Sequence, residues 1–245
     1  MSALAGLDPD KILETARRLE QRIVERFPES GLSRVCGQLV ELAGRAKRTS
    51  RWIRQPNPQL RLISLGVIGA MLLASVAAVI LTVSRTSGSH FGWADAVQVS
   101  EAAINDLVLL GAAIWFFVSF ETRFKRGRVL KALHELRTLA HLIDVHQLTK
   151  SPEVLGHEEL ATPSSPKRRL TPWQMGRYLD YCGEMLSLTA KIAALYSDGF
   201  EDPDAVDAVT DLENLTAGMQ SKIWQKLVLL ESRTGASLAV VPESA

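Results

Sequence analysis

From Leu62 to Val83 the chain reads LISLGVIGAMLLASVAAVILTV, 22 residues without a charge, bracketed by Arg61 and Arg85. A hydrocarbon core about 30 Å thick is crossed by about 20 apolar residues in helix. Core helices of soluble proteins rarely run this long without a charged residue, so the segment predicts a transmembrane helix. Nothing else in the chain restricts its fold so strongly. The averages alone, 47% hydrophobic and 22% charged residues with a formal net charge of +1, describe a soluble protein of one or two domains. They exclude a disordered, collagen-like or disulfide-dense chain. The near-neutral charge gives no reason to expect a nucleic-acid partner.

A second apolar stretch, Leu107–Phe120 (LVLLGAAIWFFVSF), is 14 residues long and reaches spanning length by taking in residues 102–105. Asp106 and Glu121 then lie near its two interfaces. Alone, such a stretch also suits a core helix or a re-entrant segment. The flanking charges support a span. Arg45, Lys47, Arg48, Arg51, Arg54 and Arg61 precede the first segment, and Arg123, Lys125, Arg126, Arg128, Lys131 and Arg137 follow the second. Residues 84–106 hold only Arg85 against Asp95, Glu101 and Asp106. The excess of Lys and Arg on cytoplasmic flanks predicts a hairpin with both termini in the cytoplasm.

The first 25 residues carry Asp8, Asp10, Glu14, Glu20 and Glu25 and lack the apolar run of a cleavable signal, so the first span itself would target the chain. The expected setting is a bacterial inner membrane. Cys36 and Cys182 fall on the reducing side and read as small buried hydrophobes rather than a disulfide. Gly66, Ala70, Ala74 and Ala78 recur every four residues, and small residues at that spacing let another helix approach, either the second span or a neighbouring subunit.

The flanks read as helices. Asp8-Pro9 is an N-cap with proline at the first helical position. Ile12, Leu13, Ala16, Leu19, Ile23 and Phe27 follow at helical spacing. Pro28 and Gly31 break the pattern, and Leu32, Val35, Leu39, Leu42 and Ala46 mark a second helix that Pro56 and Pro58 stop. Trp52 among arginines suits either a headgroup anchor or a packed loop. After the second span, Val129, Leu133, Leu136, Ala140 and Ile143 share one face of a helix that continues to about Leu148. Thr171-Pro172 and Asp202-Pro203 open two further helices joined by a short turn, which implies an antiparallel pair. The first of these carries a heptad seam (Met175, Leu179, Cys182, Leu186, Thr189, Ala193, Tyr196) and beside it a second (Tyr181, Met185, Leu188, Ile192, Leu195). The second carries Val206, Val209, Leu212, Leu215, Met219, Ile223, Leu227 and Leu230.

The expected organisation is therefore all-α. It comprises an N-terminal helical hairpin (1–58), a transmembrane hairpin (59–122, spans about 62–83 and 103–121), an extension helix (123–148), a linker (149–171), a C-terminal antiparallel hairpin (172–231) and a tail (232–245). In the linker, Lys167, Arg168 and Arg169 form a basic cluster that reads as a solvated loop or as a contact with anionic lipid.

Signatures of chemistry are sparse. His134, His141, Asp144 and His146 are the one group whose residue types suit a metal. At about 100° per residue, His141 and His146 point some 140° apart, and His134 and His141 lie about 10 Å apart along the axis, so one straight helix does not aim them at one ion. There is no Gly-rich phosphate loop, His-Glu-x-x-His, Cys-x-x-Cys or Gly-x-Ser-x-Gly. Glu101, Asp106 and Glu121 would draw cations to the mouths of an oligomeric pore. The Thr-Val-Gly-Tyr-Gly of potassium channels and the Gly-Met-Asn of magnesium channels are absent. The leading expectation is a non-enzymatic, homo-oligomeric membrane protein without a cofactor. Its partners would be the lipid bilayer and a cytoplasmic protein. An ion channel is the first alternative, and a metal-dependent enzyme or sensor the second.

Overall fold

The computed structural model describes residues 6–55, 58–86, 93–150, 152 and 170–234. Among these, every regular element is a helix: α1 (Pro9–Arg26), α2 (Gly31–Arg54), α3 (Pro58–Thr86), α4 (Trp93–Leu148), α5 (Pro172–Ser197) and α6 (Pro203–Thr234). The starts of three helices follow from local chemistry. The Asp8 carboxylate accepts the Asp10 amide at 2.9 Å, with Pro9 at the first position of α1. Thr171 accepts the Gln174 amide at 3.2 Å while Gln174 accepts the Thr171 amide at 2.9 Å, a reciprocal capping box on α5. Asp202 accepts the Ala205 amide at 3.2 Å at the start of α6.

Three helix boundaries differ from the expected ones. The connection between the two expected spans is shorter, because α3 continues to Thr86 and α4 already begins at Trp93. Asp95 and Glu101 read as loop charges, yet residues 93–103 hold no proline or glycine and are rich in alanine, which favours helix. At the other end α6 runs to Thr234, three residues into the expected tail. The expected linker, with Lys167, Arg168 and Arg169, lies almost wholly outside the described residues, as does the tail beyond Thr234.

By contacts the chain forms two compact units, Met1–Arg54 with Arg128–Ala245, and Gln55–Gly127. The first is a bundle of α1, α2, the last part of α4, α5 and α6. Helix α5 is its centre. Both heptad seams of α5 are buried, Tyr181, Leu179, Met185, Leu186 and Ile192 almost completely. Each fully buried side chain of this size contributes about 1.5–3 kcal/mol. The neighbours fix the directions. Phe27 stacks edge-on against Tyr178 at 5.4 Å, and Arg22 pairs with Glu184 at 2.5 Å, so α1 runs against α5. Gly176 approaches Leu230 while Gln220 Nε2 donates to the Gly183 carbonyl at 3.3 Å, so α6 also runs against α5. Arg54 pairs with Asp198, which aligns α2 with α5. The predicted apolar faces of α1, α2 and the end of α4 are all buried; in α6 Val206 is exposed and Ala205 takes the core position. The doubled seam of α5 thus packs against more than one helix of the same chain, as its width requires.

The second unit contains α3 and the beginning of α4. Its two ends meet: Lys125 Nζ donates to the Gln55 carbonyl at 3.0 Å and pairs with Glu121 at 2.8 Å.

Candidate functional site

An apolar helix inside a soluble domain is covered by other side chains. Many of the described apolar residues of the second unit are exposed. Leu62, Leu73 and Trp115 are each 73% exposed, and Leu107 is 70% exposed. Among the described residues, one helical segment, Ile104–Leu148 of α4, is long and apolar enough to cross a bilayer by length and composition. The most apolar window of that segment has a mean hydropathy of 1.6, and none of it is buried. In α3 the described apolar stretch is the shorter Leu65–Ala78. Among the described residues, therefore, one of the two expected spans meets the length criterion.

The small residues Gly66, Ala70, Ala74 and Ala78 are exposed, whereas Val67, Ile68, Met71 and Ser75 are the partly covered positions nearby. A Cβ built on Gly66 meets nothing within 4 Å. Of the three acids expected at a pore mouth, Glu101 and Asp106 are exposed, and Glu121 is held by Lys125 at 2.8 Å.

The histidine group does not converge. His134 and His141 are exposed. Asp144 accepts Gln147 Nε2 at 2.6 Å, and His146 Nδ1 lies 3.4 Å from the Tyr178 hydroxyl. The His146 ring also fills the space above Gly31, where a Cβ would come within 2.3 Å of Cε1. Burial, followed by the charges of Lys150 and Arg34, holds its pKa below the usual histidine value. No group of three or more His, Cys, Asp or Glu among the described residues is placed to hold a metal ion.

Cys36 and Cys182 are buried and unbridged, and burial pushes both thiols up to about 12. A thiol so raised is a poor nucleophile.

Three features are not among the expectations from the sequence. Lys125 is only 8% exposed, although it sits in a run of charges that reads as a solvated flank. Gln147 is buried, with Oε1 lacking a hydrogen-bond partner, while its carbonyl accepts Lys226 Nζ at 2.8 Å. Its burial had a signal, since it falls four residues after Ile143 on the apolar face of α4. The third is a cleft of about 310 Å³ lined by Arg22, Glu25, Arg26, Arg177 and Tyr181, which joins residues far apart in the chain.

Comparison with protein-family models, with characterised proteins and with solved structures found no match.

Proposed function

We propose that this chain is a non-enzymatic membrane protein. In this reading residues 55–127 form a two-helix hairpin in the bilayer, and both flanks lie on its cytoplasmic side. There they form a helical bundle that serves as a platform for assembly or for a partner protein. The observation that carries the reading is the exposure of the apolar residues of Gln55–Gly127. So large an apolar surface is stable against lipid or another apolar surface and drives aggregation in water. The Lys125–Gln55 hydrogen bond supports the hairpin, because it brings the two ends of the segment to one level. The arginines and lysines on both sides then meet the cytoplasmic headgroups together.

Homo-oligomerisation is part of the proposal and rests on α3. Its small-residue stripe is exposed, and close approach of a second copy would bury it. The channel alternative is weaker, since the Glu121 carboxylate is engaged by Lys125 and Glu101 and Asp106 alone remain as mouth charges.

The test is topology. A cysteine introduced at Ser89 should react with a membrane-impermeant maleimide in intact cells, whereas one at Ser2 should react only after lysis. The native Cys36 and Cys182 should stay unlabelled in the folded protein. Release of the protein from membranes by alkaline carbonate, or labelling at Ser2 in intact cells, would overturn the reading.

A further inference from the structure

We infer that the arginine cleft between α1 and α5 is a binding site for a soluble, multiply charged, phosphate-bearing small anion. Arg22 and Arg26 come from α1 and Arg177 from α5, and all three line one cleft of about 310 Å³. Their guanidinium groups lie over aromatic rings. Arg177 lies 5.0 Å and Arg22 5.8 Å from the centroid of Tyr181, and Arg26 lies 4.6 Å from that of Trp173. Tyr181 is 1% exposed, so the floor of the cleft is fixed by the core of the bundle. Guanidiniums already placed over rings lose less freedom when an anion meets their N–H groups.

The charges already present select the ligand. Glu184 takes one edge of Arg22 at 2.5 Å, Asp180 takes one edge of Arg177 at 3.1 Å, and Glu25 lines the cleft beside Arg26. A single carboxylate would gain little beyond what those pairs supply. A phosphate or pyrophosphate offers several oxygens and more than one charge, enough to reach three guanidiniums at once. The cleft lies wholly within the bundle, so the inference stands whether or not residues 55–127 cross a bilayer.

The experiment is calorimetric titration of the full-length protein in detergent micelles with sodium pyrophosphate, at ionic strength held constant with sodium chloride. The wild type should bind saturably. Arg26→Gln should weaken binding at least tenfold, and Arg26→Lys should restore part of it. Arg17→Gln, the same charge change at an exposed position of α1, should bind like the wild type. Unchanged circular dichroism would separate these effects from unfolding. Absence of saturable binding, or equal weakening by Arg17→Gln and Arg26→Gln, would overturn the inference. So would tighter binding of short-chain phosphatidylglycerol than of pyrophosphate with the same dependence on Arg26, since the ligand would then be a lipid headgroup.

Discussion

At the scale of single residues, Gly31 and His146 make the most sensitive contact. The imidazole occupies the place of a Cβ at residue 31. Gly31→Ala should therefore destabilise the bundle by about 1–3 kcal/mol, the usual range for overpacking. Chemical denaturation of the detergent-solubilised protein would measure it. Combining it with His146→Ala should cost less than the sum of the two single changes, because the obstruction is shared. The same histidine sets a pH dependence. Its folded pKa lies below 6.5, so the unfolded chain binds the proton more readily. The stability held by neutral His146 is complete above the unfolded pKa and is lost as pH falls from about 6.5 toward the lower folded value. The melting temperature should drop between pH 7.5 and 5.5, and His146→Gln should lessen that drop. Asp10 acts in a separate window. The hydrogen bond with Lys47 comes first among the interactions that hold its carboxyl below the usual range, followed by the charges of Lys47 and Arg51. Its contribution is present above about pH 4 and disappears as pH falls through the folded value.

At the scale of elements, α5 carries the bundle. Thr171→Ala removes the hydroxyl half of its capping box and should cost about 1 kcal/mol, with fraying of the first turn seen in amide exchange. Leu186→Ala opens a cavity at a fully buried position and should cost about 2–5 kcal/mol. Trp224→Ala on the open side of α6, by contrast, should change stability by less than about 0.5 kcal/mol despite its size. The α5–α6 turn needs Gly199, whose φ of 82° lies in the left-handed region and whose Cα faces Arg54.

Much of this level was legible in the sequence. Asp8-Pro9, Thr171-Pro172 and Asp202-Pro203 are start signals read within four residues, and apolar spacing identified the core faces. Where the answer depended on partners distant in the chain, the sequence was silent. Nothing near Arg22 points to Glu184, and nothing near Gly31 points to His146. Likewise the heptads of α5 do not say whether their partners are other copies or other helices of the same chain. The start of α4 was missed for the opposite reason, since Asp95 and Glu101 look like a solvated loop although every residue around them tolerates helix.

For the whole molecule, the consequential feature is that residues 55–127 interrupt the sequence of the bundle, whose two parts lie before and after them. Replacing residues 57–124 by a short glycine-serine linker should yield a chain that stays soluble without detergent. It should keep a cooperative thermal transition, because the core residues of α1, α2, α5 and α6 and the buried face of α4 are all retained. Circular dichroism and light scattering would check this, and aggregation of the shortened chain would count against a self-sufficient bundle.

The split of the bundle also sets an order of manufacture. Helices α1 and α2 leave the ribosome first, and the segments that complete their core are synthesised only after residues 55–127. At about 5–20 residues per second, that excursion alone keeps the ribosome occupied for roughly ten seconds. During that interval Leu19 and Leu39 can be covered by each other's helices but not by α5. Residues 55–127 are therefore complete before the bundle can close, and a finished bundle marks a chain whose inserted segment has already been made.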